Sequence, residues 1–78
     1  MYRVDFYQVG PRSERWARNY AHRPTTEDLL REVRARGIDG VEVAWSLVAA
    51  VGGEFVREGR VVGTFSVRQL AAEVAADR

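Results

Sequence analysis

Residues Tyr2–Val9 alternate, with Tyr2, Val4 and Phe6 on one side of an extended chain and Arg3, Asp5 and Tyr7 on the other. Period two in aromatic and β-branched residues predicts a half-buried strand. Gly10-Pro11 ends it, because proline has no N–H to give to a ladder. Over 26–36 the period changes. Thr26, Leu29, Leu30 and Val33 fall at i, i+3, i+4 and i+7, the apolar stripe of an amphipathic helix. Thr25 or Thr26 starts it, Glu27 and Asp28 favour the positive end of its dipole, and Gly37 supplies the left-handed residue that stops it. Glu27–Arg31 and Glu32–Arg36 have the spacing of i, i+4 ion pairs.

From Gly40 onward the period returns to two. Val41, Val43, Trp45 and Leu47 form an apolar row opposed by Glu42, Ala44 and Ser46. Gly52-Gly53 and Glu58-Gly59 are both turn signals, so 41–65 reads as two or three antiparallel strands with the true hairpin turn undecided. Ser66 and Gln69 have capping-box spacing, and Val67, Leu70, Ala71 and Val74 repeat the helical stripe, predicting a second helix to about residue 76. The expected fold is α+β: a mainly antiparallel sheet of three or four strands with two amphipathic helices on one face, in the order β-α-β-β(-β)-α. A single domain over 1–78 is expected.

One tract fits neither period. In 11–24, PRSERWARNYAHRP, Ser13 can cap a helical turn that sets Trp16 and Tyr20 four apart on one side. Fourteen residues is long for a connection in a small domain, and the tract reads as an irregular arm rich in arginine and aromatic residues.

Charge singles out the same tract. The chain of 78 residues carries twelve basic side chains, all arginine, against eleven acids, for a formal net charge of +1. Residues 1–24 hold five arginines and two acids, a local charge of +3, whereas 25–78 hold seven arginines and nine acids. So even a balance excludes a polybasic nucleic-acid arm or an acidic disordered tail. Use of arginine alone is accounted for by GC-rich coding, since the arginines are spread along the chain.

Composition removes most catalytic chemistry from the expectation. There is no cysteine, hence no disulfide, thiolate metal site or thiol nucleophile. His22 is the sole histidine, too few for a two-histidine metal site, and no glycine-lysine phosphate loop or Gly-x-Gly triplet occurs. No enzyme activity, cofactor or metal is expected. The longest apolar run, 47–51, falls far short of the ~20 residues that cross a bilayer, so no membrane association is expected. The first residues lack the apolar core of a signal peptide, which makes the cytoplasm the expected compartment.

Arginine interleaved with tryptophan and tyrosine suits protein hot spots and, with stacking on bases, single-stranded nucleic acids. The competing explanation is that Trp16 and Tyr20 fold onto the sheet while the arginines reach for water. The expected function is a small non-enzymatic protein-binding module. Its contact anchor is Arg12, Arg15, Trp16, Arg18, Tyr20, His22 and Arg23, and its partner is another protein. An inhibitor of a host factor, encoded by a phage or mobile element, is the economical form of this reading. Two alternatives stand beside it: a nucleic-acid-binding or regulatory module using the same tract, and a structural homo-oligomer joined through an open sheet face. Tyr7, Ala44 and Val48 would belong to such a face if exposed.

Overall fold

A computed structural model describes residues 1–46 and 51–70. In chain order the elements are β1 (Tyr2–Val9), β2 (Glu14–Tyr20), α1 (Thr26–Ala35), β3 (Glu42–Trp45), β4 (Gly52–Arg57) and β5 (Arg60–Gln69). The strands form one sheet in the order β2-β1-β5-β4-β3, and every neighbouring pair is antiparallel. The architecture is therefore α+β, as the periodicity predicts, but it has five strands and, among the described residues, one helix. α1 leaves β2 at one edge of the sheet and delivers the chain to β3 at the other.

The first difference lies in 11–24. Its centre is not an irregular arm but a seven-residue edge strand, entered through a turn in which the Ser13 N–H donates to the Gly10 carbonyl at 3.0 Å. Gly10 and Ser13 both hold the left-handed conformation that so tight a reversal requires. The second difference lies at 66–69. Phe65 and Val67 are buried while Ser66 points away, which is strand periodicity, and Val67 pairs with Val4 of β1. The sequence Ser66–Gln69 has capping-box spacing, but here it is the end of β5. Both β1 and β4 draw their ladders from that strand, and this tertiary demand overrides the local cap. Positions 71–76 of the expected second helix lie outside the described residues, as do Leu47 and Val48.

The hairpin ambiguity resolves at Glu58-Gly59. Both residues have positive φ, 53° and 78°, as a two-residue turn between twisted strands requires. Gly52-Gly53 instead forms the first two residues of β4.

One face of the sheet is built from aromatic rings. Register sets Trp45, Gly53, Phe65, Phe6 and Trp16 in a row across β3, β4, β5, β1 and β2. Trp16 stacks on Phe6 with centroids 4.5 Å apart, Phe55 lies 6.0 Å from Phe6, and Trp45 meets Phe65 edge-on at 5.1 Å. Gly53 leaves room for that edge-on pair: a Cβ there would strike the Ala44 carbonyl and the Phe65 ring. α1 covers this face, burying Leu29 and Val33, with Ile38 just beyond its end.

The helix ends are fully specified. Thr25 and Asp28 form a reciprocal capping box. At the other end the Gly37 N–H donates to Arg34 and the Ile38 N–H to Val33, the paired bonds of a Schellman motif. Neither predicted i, i+4 pair forms. Arg31 reaches Asp28, and Glu32 and Arg36 turn to the sheet instead.

Candidate functional site

β2 sorts the arginine and aromatic residues by parity. Successive strand residues point to opposite faces, so Trp16, Arg18 and Tyr20 lie toward α1, while Arg15, Ala17 and Asn19 lie on the face away from it.

On the α1 side the side chains satisfy one another. The Trp16 indole Nε1 donates to Glu32 Oε2 at 3.0 Å, and Arg18 donates to Glu32 Oε1 at 3.0 Å. Arg36 sits 4.0 Å from the centre of the indole and bonds Glu14 at 3.1 Å, closing the other side of the ring. Trp16 is thus half-buried between Phe6, Glu32 and Arg36. Tyr20 lies beneath the Arg18 guanidinium at 5.8 Å, and its hydroxyl titrates above its ordinary value through burial and the Glu32 carboxylate. His22 lies 3.3 Å from Asp28, whose other oxygen accepts from Arg31. Trp45 does for the far edge what Trp16 does for the near one, donating to Thr26 Oγ1 at 2.8 Å. Two indoles at opposite sheet edges therefore clamp the helix, and Trp16 acts within the fold.

The opposite face is different. Register places three rows across it: Asn19, Arg3 and Arg68; Ala17, Asp5 and Ser66; and Tyr7, Thr64, Glu54 and Ala44. The Arg15 guanidinium lies over the Tyr7 ring at 5.4 Å. Arg3 bonds Asp5 at 3.1 Å, but no carboxylate of the described residues pairs with Arg15 or Arg68. Arg3 and Arg68 stand directly opposite each other, an arrangement that is unfavourable between like charges. The β2-β1-β5 side of the face is basic, with three arginines and one acid. The β4-β3 side carries Glu54 and Glu42.

The seven expected anchor residues therefore do not share one surface. Trp16, Arg18 and Tyr20 border α1, and His22 joins the helix cap. Arg23 is exposed just before the buried Pro24, Arg12 is exposed in the β1–β2 turn, and Arg15 belongs to the open face. Arg3, Arg68 and Ala17 were outside the expected site, and the period-two pattern of 14–20 is the signal that would have grouped Ala17 with Arg15. Ala44 is exposed and Tyr7 half-exposed.

Among the described residues no helix is long and apolar enough to cross a membrane, and no cluster of three or more metal-ligating side chains occurs. Comparison of the chain with protein-family models, curated proteins and solved structures finds no match.

Proposed function

We propose that this chain is a protein-binding module whose contact surface is the open face of the sheet along β2, β1 and β5, and whose partner presents an acidic surface. One observation carries the reading. Arginines bordering the helix, Arg18, Arg31 and Arg36, each reach a carboxylate, whereas Arg15 and Arg68 on the open face reach none among the described residues and Arg68 faces another arginine. An acidic partner surface relieves that uncompensated charge and gains from planar, multidentate guanidinium contacts. Tyr7, held in place by Arg15, adds an aromatic anchor of the kind that dominates protein interfaces.

Nucleic acid fits the face less well. Asp5, Glu54 and Glu42 share it with the three arginines, so a continuous phosphate chain crossing the sheet runs into repulsion on the β4-β3 side.

The experiment is site-specific photocrosslinking in the native cell. A benzophenone side chain at Asn19, on the open face, is expected to give a discrete protein adduct that disappears on Arg68→Glu. The same group at Arg34, on the exposed side of α1, should give none. Equal adducts from both positions, adducts to nucleic acid, or no adduct from Asn19 would overturn the reading.

A further inference from the structure

The open face contains a depression of about 330 Å³ between β1 and β2, walled by Arg3, Asp5, Tyr7 and Arg15, with Ala17 among its lining residues. Its shape follows from register. Ala17 lies opposite Asp5, and the longer side chains of Arg15 and Asn19 flank it along β2, so a single methyl group sits where neighbouring positions carry long side chains. Arg3 leans along its own strand toward the depression, because its Nε donates to Asp5. From the other end comes Arg15, lying over the Tyr7 ring.

We infer that this depression is a binding site for one carboxylate side chain of a protein partner, an aspartate or glutamate held between the guanidinium groups of Arg3 and Arg15. The inference rests on the protein-binding reading for the source of the carboxylate. The site's own charge argues for a single negative group: two arginines against Asp5 leave one uncompensated positive charge. A carboxylate neutralises it, and a polyphosphate would overshoot and meet Asp5. Arg3 commits its Nε to Asp5, leaving its terminal nitrogens for a ligand. The Tyr7 ring supplies an apolar wall for the methylene stem of a glutamate, and the Ala17 methyl leaves space for the head group. Two guanidinium groups exclude a metal cation.

The test is a titration of the uniformly labelled full chain with a capped tetraglutamate peptide, followed by amide and arginine Nε resonances. Saturable shifts are expected at Asp5, Tyr7 and Ala17 and at the Nε of Arg15. Ala17→Leu fills the depression without altering charge, and Arg15→Gln removes one guanidinium. Each should weaken binding about tenfold or more, the loss expected for a charge-assisted contact. Arg60→Gln, in the β4–β5 hairpin, should leave the titration unchanged. Retained tryptophan fluorescence shows that each variant is folded.

Shifts spread evenly over all arginines, indifference to both Ala17→Leu and Arg15→Gln, or equal competition by inorganic phosphate would each overturn the site. The two proposals fail separately. A crosslink from Asn19 that survives Ala17→Leu, alongside a flat peptide titration, removes the carboxylate site and leaves the protein-binding reading standing. A localised titration with no crosslink does the reverse.

Discussion

The two faces of β2 carry similar residue types and have opposite fates. Trp16 and Arg18 meet Glu32, Phe6 and Arg36 within the molecule, whereas Arg15, three positions before Arg18 and on the other face, meets the Tyr7 ring and no carboxylate among the described residues. Arginine beside an aromatic residue is thus no sign of a binding site by itself. What distinguishes the faces is whether carboxylates of the same chain already answer the charge. On the helix side Glu14, Asp28 and Glu32 do so, and the aromatic rings are held in place by the same groups. On the open side Asp5, the one nearby acid among the described residues, answers Arg3 and leaves the rest.

The largest effect expected from this contrast is at Trp16. Removing an indole stacked on Phe6 and bonded to Glu32 in Trp16→Ala should cost about 3 kcal/mol, the scale of losing a large aromatic side chain from a packed layer. A domain of this size holds only about 4–12 kcal/mol in total. Arg15→Ala should change stability by less than about 0.5 kcal/mol and yet reduce the Asn19 crosslink. Urea midpoints at unchanged slope are the measurement. Equal costs for the two substitutions would mean that the faces do not differ in the way described.

A single methyl group sharpens the same contrast at lower cost. β1 takes an extra residue between Phe6 and Val9, with Gln8 in the left-handed conformation, so that Val9 rather than Gln8 enters the core and crosses Gly63. A Cβ on Gly63 would lie 2.8 Å from Val9 Cγ2 and 2.9 Å from its Cα, and the second of these contacts is with backbone. Gly63→Ala should therefore destabilise by about 1–3 kcal/mol, as overpacking does. Enlarging Ala17 to serine on the open face should be neutral within about 0.5 kcal/mol by the same urea measurement.

These positions also show what was legible in the residues. The first strand, the helix with a start at Thr25 or Thr26 and a stop at Gly37, and the inward set Val4, Phe6, Leu29 and Val33 follow from period and turn chemistry, which act locally. β2 did not, because ERWARNY is polar enough at an edge to hide its alternation: only Trp16 and Tyr20 mark the inward parity, and their spacing of four also fits a helix. Parity was the missing piece for the site as well, since it separates Arg15 from Trp16. At 66–69 the local signal pointed to a helix cap, and the pairing needs of β1 and β4 won. Glu32 could not have been assigned its role from spacing, which pairs it with Arg36, because Trp16 and Arg18 reach it only through the fold.

Glu32→Gln separates packing from charge on the helix side. An amide oxygen still accepts from the Trp16 indole, but the ion pair with Arg18 is lost. The expected cost is about 1 kcal/mol or less, because Arg18 is well exposed. Double-mutant cycles with Arg18→Ala should recover most of it. On the open face, where no carboxylate of the described residues pairs with Arg15, Arg15→Gln should give no coupling with Asp5, Glu42 or Glu54.

The smallest effect concerns acid and again falls on one face. Asp28 titrates below its ordinary value of 3.8, first because its carboxylate accepts the Thr25 backbone N–H; burial opposes this as the next largest cause, and the Thr25 hydroxyl and His22 lower it further. A carboxyl group whose pKa is lower folded than unfolded binds protons more readily in the unfolded chain. Its stabilisation is therefore complete above the ordinary value and is lost as the pH falls through the lowered one. The capping box should thus weaken below about pH 4, by less than about 1 kcal/mol, since the groups around Asp28 are exposed. Thermal midpoints from pH 6 down to pH 2.5 should show a shallower acid limb in Asp28→Asn than in the parent chain, together with a small loss at pH 6. Arg15→Gln should follow the parent curve. If Asp28→Asn kept the parent's acid limb, the helix cap would not be the acid-sensitive element, and the charge pairing that sets the helix side apart from the open face would have to be sought at Glu32 and Glu14 alone.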